Sequence, residues 1–197
     1  ILSFDKEVKQ NAVKVKFDIS IFTPFVIVLI IAYFTEGVGF VVQATFLPDI
    51  INSLKGLEGY GSLTWTLVGV AGIPSCIIWM LLAHRFGSSN IIIIALLLQA
   101  VGILIPAFSS NIYLNLLSGV LYGGTFIGLV ALFMNLGGQL SRGNPVVLMG
   151  AMTSSYGIGQ VIAPLYSVYF IAKYGNYDYA LYLTAFIVLG GAVLLLL

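Results

Sequence analysis

Glu36 is an acidic residue in surroundings that do not suit a charge. It lies past the middle of a long apolar stretch, between Phe34 and Phe40. A carboxylate at the centre of a bilayer costs about 2.5–3.5 kcal/mol on insertion scales, so such a residue faces a cavity, meets a partner or takes up a proton. We therefore interpret Glu36 as a residue that binds a proton or contacts a solute. The alternative is a structural hydrogen bond to the backbone of a neighbouring helix.

Other polar side chains lie at helical spacing in the same stretch and in two later ones. Tyr33 and Gln43 stand three residues before and seven residues after Glu36, so all three share one helix face. A later stretch carries a stripe formed by Asn115, Ser118, Tyr122 and Thr125. The next carries Tyr156 and Gln160 one turn apart. We expect the tyrosines and glutamines of these stripes to line a route with Glu36: Tyr33, Gln43, Tyr122, Tyr156 and Gln160.

The composition excludes most other kinds of chemistry. The chain has 197 residues, of which 60% are hydrophobic and 8% are charged, and its mean hydropathy is +1.09. A water-soluble domain needs a polar outer shell, so this composition predicts an integral membrane protein. One cysteine, one histidine and a net charge of +1 provide no disulfide framework, zinc site or nucleic-acid surface. We expect no metal, no cofactor and no enzymatic activity, because Glu36 has no cluster of His, Asp or Ser around it.

Six apolar stretches are long enough to cross a bilayer as helices, which takes about 20 residues. They are too long for barrel strands of about 9–11 residues, and they lack the alternation of such strands. We place them at residues 19–47, 62–83, 90–108, 112–138, 146–172 and 179–197. Pro48 and Asp49 are expected to end the first stretch. Residues 1–18 are interpreted as a cytosolic connector in front of a six-helix transmembrane domain, residues 19–197.

The distribution of Lys and Arg predicts the orientation, because cytoplasmic loops carry an excess of both. Six of these residues fall on one side of the membrane if successive spans alternate in direction: Lys6, Lys9, Lys14, Lys16, Arg85 and Arg142. Only Lys55 and Lys173 fall on the other side. We therefore expect both ends of the domain to face the cytoplasm.

The second and fifth stretches share a pattern of glycines followed by a proline. The pattern consists of Gly69, Gly72 and Pro74 in the second, and of Gly157, Gly159 and Pro164 in the fifth. Proline removes a backbone donor and glycine permits close approach, so we expect these residues to let the helices bend. If the first three helices correspond to the last three, the domain is an inverted 3+3 repeat, which is typical of transporters. The alternative is that glycine and proline are simply common in membrane helices.

Six such spans behind a charged connector resemble the C-terminal half of a major facilitator superfamily transporter. Arg85 and Gly87, between the second and third spans, stand where that superfamily has its Asp-Arg-x-Gly loop motif, although His84 occupies the acidic position. The resemblance implies half of a twelve-helix fold, with an upstream six-helix half in the same chain. It also implies a gating role for Arg85 and Gly87 at the cytoplasmic ends of the helices.

Within the superfamily, the chain resembles the YbfB-type branch. The resemblance rests on short motifs: Gly37-Val38-Gly39-Phe40, Thr45-Phe46-Leu47-Pro48, Gly124-Thr125-Phe126, and Gly159-Gln160 with Pro164. This branch implies a transporter of the bacterial inner membrane whose substrate is unassigned.

These features together predict a secondary active transporter that moves a small solute by alternating access and is coupled to protons. No lysine or arginine lies at the centre of an apolar stretch, so a neutral or cationic solute fits better than a strongly anionic one. The alternative is a non-transporting six-helix membrane protein that serves as a scaffold or a sensor subunit.

Overall fold

A computed structural model of the protein describes residues 19–141 and 145–197. Over these residues the chain forms a short 3-10 turn and six α-helices, and it contains no β-strand. The elements are the turn Ile19–Ile21, α1 Pro24–Ser53, α2 Gly61–Phe86, α3 Ser88–Phe108, α4 Ile112–Leu140, α5 Pro145–Tyr174 and α6 Asp178–Leu194. The predicted connector, residues 1–18, and Arg142 lie outside the described residues.

The helices occupy the six predicted stretches, and the prediction of an all-helical membrane domain is confirmed. Five of them, α1 to α5, are long and apolar enough to cross a membrane. The stretch predicted at residues 179–197 forms a shorter helix of 17 residues, because α6 ends at Leu194. At 1.5 Å per residue α6 is about 26 Å long, slightly less than a hydrocarbon core of about 30 Å.

α1 begins later than the predicted first span. Thr23 caps the helix, since its hydroxyl oxygen accepts a hydrogen bond from the backbone N–H of Val26 at 3.3 Å. Pro24 follows in the first helical position, where its missing N–H would have had no partner in the helix. The residues from 19 to 23 therefore form the approach to α1 and not its first turn.

Pro48 does not end α1, and the sequence prediction was wrong at this point. The helix continues through Pro48 to Ser53. The continuation buries Ile50 and Ile51, and this apolar burial compensates for the hydrogen bond that proline removes. The side chain of Asn52 then fixes the following loop, because its oxygen accepts hydrogen bonds at 3.0 Å from the N–H groups of Gly59 in the loop and Gly61 at the start of α2.

Two helix pairs make the most extensive contacts, α2 with α4 and α1 with α5. Glycine permits the close approach in both pairs. A Cβ added to Gly123 of α4 would overlap the backbone of Val68 on α2, and one added to Gly37 of α1 would overlap the carbonyl oxygen of Tyr156 on α5. α3 packs on α4 and α6, and α6 also packs on α1. α1 and α4 thus lie in the interior, in contact with each other.

Aromatic contacts show how the helices are directed. Near the end of α1, Phe46 contacts Tyr177 at the start of α6, with ring centroids 6.0 Å apart. The end of α3 meets α6 in the same region, where Phe108 and Tyr182 are 5.4 Å apart. Elsewhere the end of α2, the start of α3 and the end of α4 line one cavity. Consecutive helices among α1 to α4 therefore run in opposite directions, and α6 is antiparallel to α1.

Candidate functional site

Glu36 is fully buried in the middle of α1, with an exposed fraction of 0%. Neither of its carboxyl oxygens makes a hydrogen bond with a described residue. The side-chain amide of Gln99 on α3 lies beside the carboxyl and interacts with it, although no hydrogen bond of good geometry joins them. An unpaired polar group in an apolar interior is costly, so this position is a candidate functional site and not an ordinary part of the core.

Two glycines explain how Glu36 comes to be buried. Gly37 allows the α5 backbone at Tyr156 to approach α1 on one side. Gly39, one turn after Glu36, faces α3 and α6: a Cβ there would lie 2.7 Å from a methyl carbon of Val188 and 3.4 Å from the amide oxygen of Gln99. Neighbouring helices therefore close around this part of α1, and the side chain of Glu36 has no exposed surface.

Three tyrosines from three helices lie within electrostatic range of Glu36. Tyr33 of α1, Tyr122 of α4 and Tyr156 of α5 each interact electrostatically with its carboxyl. The rings of Tyr33 and Tyr156 are stacked, with centroids 4.7 Å apart. The hydroxyl of Tyr122 donates a hydrogen bond to the carbonyl oxygen of Phe40 at 3.2 Å. The structure thus brings together four of the six residues that were expected to line the route.

The two glutamines of that set lie further along their helices. Gln43 is fully buried, and neither its amide nitrogen nor its amide oxygen has a hydrogen-bond partner among the described residues. Gln160 is half-buried one turn after Tyr156 and interacts with it. Glu36 and Gln43 are therefore two buried polar side chains of one helix that have no hydrogen-bond partner among the described residues.

The other polar residues of the α4 stripe make structural hydrogen bonds. The hydroxyl of Ser118 donates to the carbonyl oxygen of Gly102 on α3 at 2.7 Å. The amide of Asn115 donates to the carbonyl oxygen of Ser109, and Thr125 bonds back to its own helix. Tyr122 is therefore the member of this stripe that interacts with Glu36.

Gln99 is the member of the site that the sequence analysis missed. It is the only side-chain amide in the apolar run of residues 91–108, and it is fully buried. An isolated amide in such an apolar helix is a feature of the sequence by which Gln99 could have been identified as a candidate. Its position beside Glu36 depends on the packing of α3 against α1, and the spacing of residues along one helix carries no information on that.

The expected gating residues lie where α2 meets α3: Arg85 in the last turn of α2, and Gly87 in the link. Arg85 is exposed, with its guanidinium 5.3 Å from the ring centroid of Phe86. Gly87 joins the two helices with φ of 89°, a conformation that favours glycine. Gly87 also lines a cavity of about 400 Å³ together with His84 and residues from the end of α4. This cavity is where the ends of three helices meet.

The residues expected to bend the helices have different surroundings. Pro74 and Pro164 both lie inside continuous helices, α2 and α5. Gly69 and Gly157 have open space where a Cβ would be. Gly72 and Gly159 are packed instead, since a Cβ on Gly72 would lie 3.1 Å from Ile127, and one on Gly159 would lie 3.0 Å from the backbone nitrogen of Val38. The two packed glycines therefore also serve helix contact.

An aromatic cavity of about 270 Å³ opens between α1, α2 and α4. Its walls include the rings of Phe40, Trp65, Tyr122 and Phe126. Tyr122 therefore lies both in the wall of this cavity and in the group of tyrosines around Glu36. The cavity and the buried carboxyl belong to one region of the bundle.

A bundle of apolar helices with buried polar side chains in its interior has the features of a multi-pass membrane transport protein. The family model described as "Uncharacterised MFS-type transporter YbfB" matches residues 9–196, and the chain belongs to this family. The resemblance found in the sequence motifs is thereby confirmed. Comparison with curated proteins gave no match.

Proposed function

We propose that the chain is part of a secondary active transporter that moves a small solute by alternating access and is coupled to protons through Glu36. The observation that carries the proposal is the fully buried carboxyl of Glu36, which interacts with three tyrosines and Gln99. Neither of its oxygens has a hydrogen-bond partner in the part of the chain that the structure describes. Membership of a family of membrane transporters supplies the class of activity.

The surroundings of Glu36 suit a residue that exchanges a proton. The titratable groups that interact with it from α1, α4 and α5 are tyrosines, and the amide of Gln99 faces it from α3. A glutamine amide both donates and accepts hydrogen bonds, so it is able to pair with either form of a carboxyl. A change of packing that lets water reach Glu36 would allow it to gain or lose a proton, and that change is what alternating access provides.

The helix pairings support the inverted 3+3 repeat. In such a repeat α1, α2 and α3 correspond to α4, α5 and α6. The α1–α5 pair then corresponds to the α4–α2 pair, and these two pairs have the most extensive contacts. In each pair a serine hydroxyl of the outer helix donates to a carbonyl oxygen of the inner one, from Ser75 to Gly124 at 2.9 Å and from Ser155 to Ile30 at 3.0 Å. The α1–α6 and α3–α4 contacts also correspond in such a repeat.

The remaining roles follow from the same mechanism. We assign the lining of the route to Tyr33, Gln43, Tyr122, Tyr156 and Gln160. We assign gating to Arg85 and Gly87, and helix bending to Gly69, Gly72, Pro74, Gly157, Gly159 and Pro164. An upstream six-helix half of the same chain would complete the solute site. The resemblance to the YbfB-type branch implies a bacterial inner membrane. The excess of Lys and Arg on one side supports an orientation with both ends of the domain in the cytoplasm.

Proton flux in liposomes tests the proposal. The full-length chain would be reconstituted with a pH-sensitive dye inside, and a panel of neutral, cationic and anionic solutes would be added. We expect a solute-dependent pH change that Glu36→Gln abolishes, because glutamine keeps the size of the side chain and cannot ionise. Glu58→Gln is the matched control, since Glu58 lies in the exposed loop between α1 and α2.

Two results would contradict parts of this proposal. A pH change that persists unaltered in Glu36→Gln would rule out Glu36 as the coupling residue. Solute uptake without any pH change would rule out proton coupling and leave transport intact. If no solute in the panel is taken up or bound, the scaffold or sensor function becomes the better interpretation.

A further inference from the structure

The cavity between α1, α2 and α4 has a strongly aromatic wall. The rings of Tyr122 and Phe126 stack at 5.1 Å between centroids, and Phe40 lies 5.4 Å from Phe126. Trp65 continues the wall at 6.4 Å from Tyr122, and 41% of its surface remains exposed. Tyr122 is itself almost fully buried, so the half-buried rings of Phe40 and Phe126 and the exposed part of Trp65 offer the surface on which another flat ring can stack.

The wall carries few polar side-chain groups, and the Tyr122 hydroxyl is already engaged. The Tyr122 hydroxyl donates its hydrogen to the carbonyl oxygen of Phe40 at 3.2 Å. Among the described residues no charged side chain lines the cavity, and Glu36, the acid that interacts with Tyr122 of the wall, is fully buried. A charged solute would therefore lose its hydration here without meeting an opposite charge, which is unfavourable.

The size of the cavity limits the solute. Its volume is about 270 Å³. Sites for drug-sized molecules run from about 300 to 1,000 Å³, so this cavity suits a smaller molecule. Gly69 forms part of the wall, and a Cβ added there would meet no atom within 4 Å. The space in front of Gly69 is thus available to a ligand.

We propose that this cavity binds the transported solute, and that the solute is a small uncharged molecule with a flat apolar ring. The inference rests on the proposed function, because it names the class of substrate for that transport. It also predicts that the cavity binds such a molecule, and this binding can be measured in an experiment that does not depend on transport.

Quenching of Trp65 fluorescence tests the inference on the full-length chain in liposomes. The probes are 4-nitrobenzyl alcohol, the 4-nitrobenzylammonium ion and 4-nitrobenzoate, which share one quenching ring and differ in charge. The difference between the wild type and Trp65→Phe isolates the emission of Trp65. We expect saturable quenching by the alcohol, with the ammonium ion and the carboxylate each binding at least about tenfold more weakly.

Two leucine variants locate the binding. Gly69→Leu places a side chain in the cavity, and the open space at Gly69 lets the fold accommodate it, so we expect the alcohol to bind at least about tenfold more weakly. Gly190→Leu is the matched control. Gly190 lies on α6, has equally open space and does not line the cavity, so binding should stay unchanged.

The outcomes separate this inference from the proposed function. Equal or tighter binding of either charged probe overturns the uncharged class, and quenching that Gly69→Leu leaves unchanged overturns the site. If the alcohol binds as expected and the proton-flux assay detects no transport, the site stands and the proposed function fails. If transport is observed and the alcohol neither binds nor competes with the transported solute, the inference alone fails.

Discussion

Glu36 and Gln99 are two polar side chains that the protein keeps in an apolar interior at a cost to stability. Both are fully buried, and neither makes a hydrogen bond with a described residue. A buried donor or acceptor left without a partner costs about 1–3 kcal/mol. Groups of this kind are retained where activity needs them, since stabilising replacements at functional positions commonly reduce function. Stability and activity should therefore respond in opposite directions when Gln99 is changed.

Replacement of Gln99 by leucine tests this opposition. Gln99→Leu removes an unpaired amide and keeps a side chain of similar size, so we expect the protein to become more stable by about 1 kcal/mol. Solute-dependent proton uptake should fall, because Glu36 loses the amide beside it. Thermal unfolding of the purified protein and the liposome assay measure the two effects.

The control for Gln99→Leu is an exposed amide on another helix. Gln139 of α4 is exposed and donates a hydrogen bond to Asn135 at 2.6 Å, so Gln139→Leu should not raise stability. If Gln99→Leu were clearly destabilising while transport persisted, Gln99 would be a structural residue and not part of the site.

For individual residues, the sequence correctly predicted the relations that the geometry of a single helix determines. Tyr33 and Glu36 lie one turn apart, and their shared face follows from the helical period. Tyr122 and Tyr156 were expected near Glu36 as members of other polar stripes, and the structure brings them there. Gln99 could not be placed beside Glu36 from spacing, because that contact depends on how α3 packs against α1.

At the scale of elements, glycine decides where the helices cross. Interhelical packing in membranes favours small residues, because lipid provides no hydrophobic force that drives helices together. In α4 the two adjacent glycines differ sharply in this respect. A Cβ on Gly123 would overlap the backbone of Val68, whereas a Cβ on Gly124 would meet no atom within 4 Å. Gly123 is therefore the one of the two whose missing side chain permits the close packing of α2 against α4.

This difference predicts opposite effects for the same substitution at neighbouring positions. Gly123→Ala should destabilise the protein by about 1–3 kcal/mol, since the α2 backbone has to move to make room. Gly124→Ala should be neutral or stabilising by up to about 1 kcal/mol, because alanine favours a helix more than glycine does. Thermal unfolding of the two variants checks both signs. Equal losses would mean that the α2–α4 contact does not depend on Gly123.

The number and positions of the helices were predicted correctly from the sequence, and the residues at which they end were predicted less accurately. A long apolar run in a chain of this composition is compatible with little else than a membrane helix. The end of α1 was misjudged, because the sequence does not reveal that Ile50 and Ile51 beyond Pro48 are buried by neighbouring helices. Local rules on proline were outweighed there by tertiary packing.

At the scale of the whole molecule, α3 connects the two sides of the bundle. It starts at Ser88, directly after Gly87 and close to Arg85 in the last turn of α2, and it ends at Phe108, near the starts of α4 and α6. The proposed orientation puts the first of these ends in the cytoplasm and the second outside. A residue at either end of α3 therefore reports the orientation of the entire domain.

Single cysteines at the two ends of α3 give opposite accessibility in intact cells. Cys76 would first be replaced by alanine, which leaves a chain without cysteine in this domain. Ser110→Cys lies in the exposed loop after α3, and it should react with a membrane-impermeant maleimide added outside. Asn90→Cys, exposed near the start of α3, should react only after the membrane is permeabilised.

The reverse pattern would mean that both ends of the domain face outward, and the charge-based orientation would be wrong. Labelling of both positions from the same side would contradict a transmembrane α3, and with it the alternation on which the inverted repeat depends.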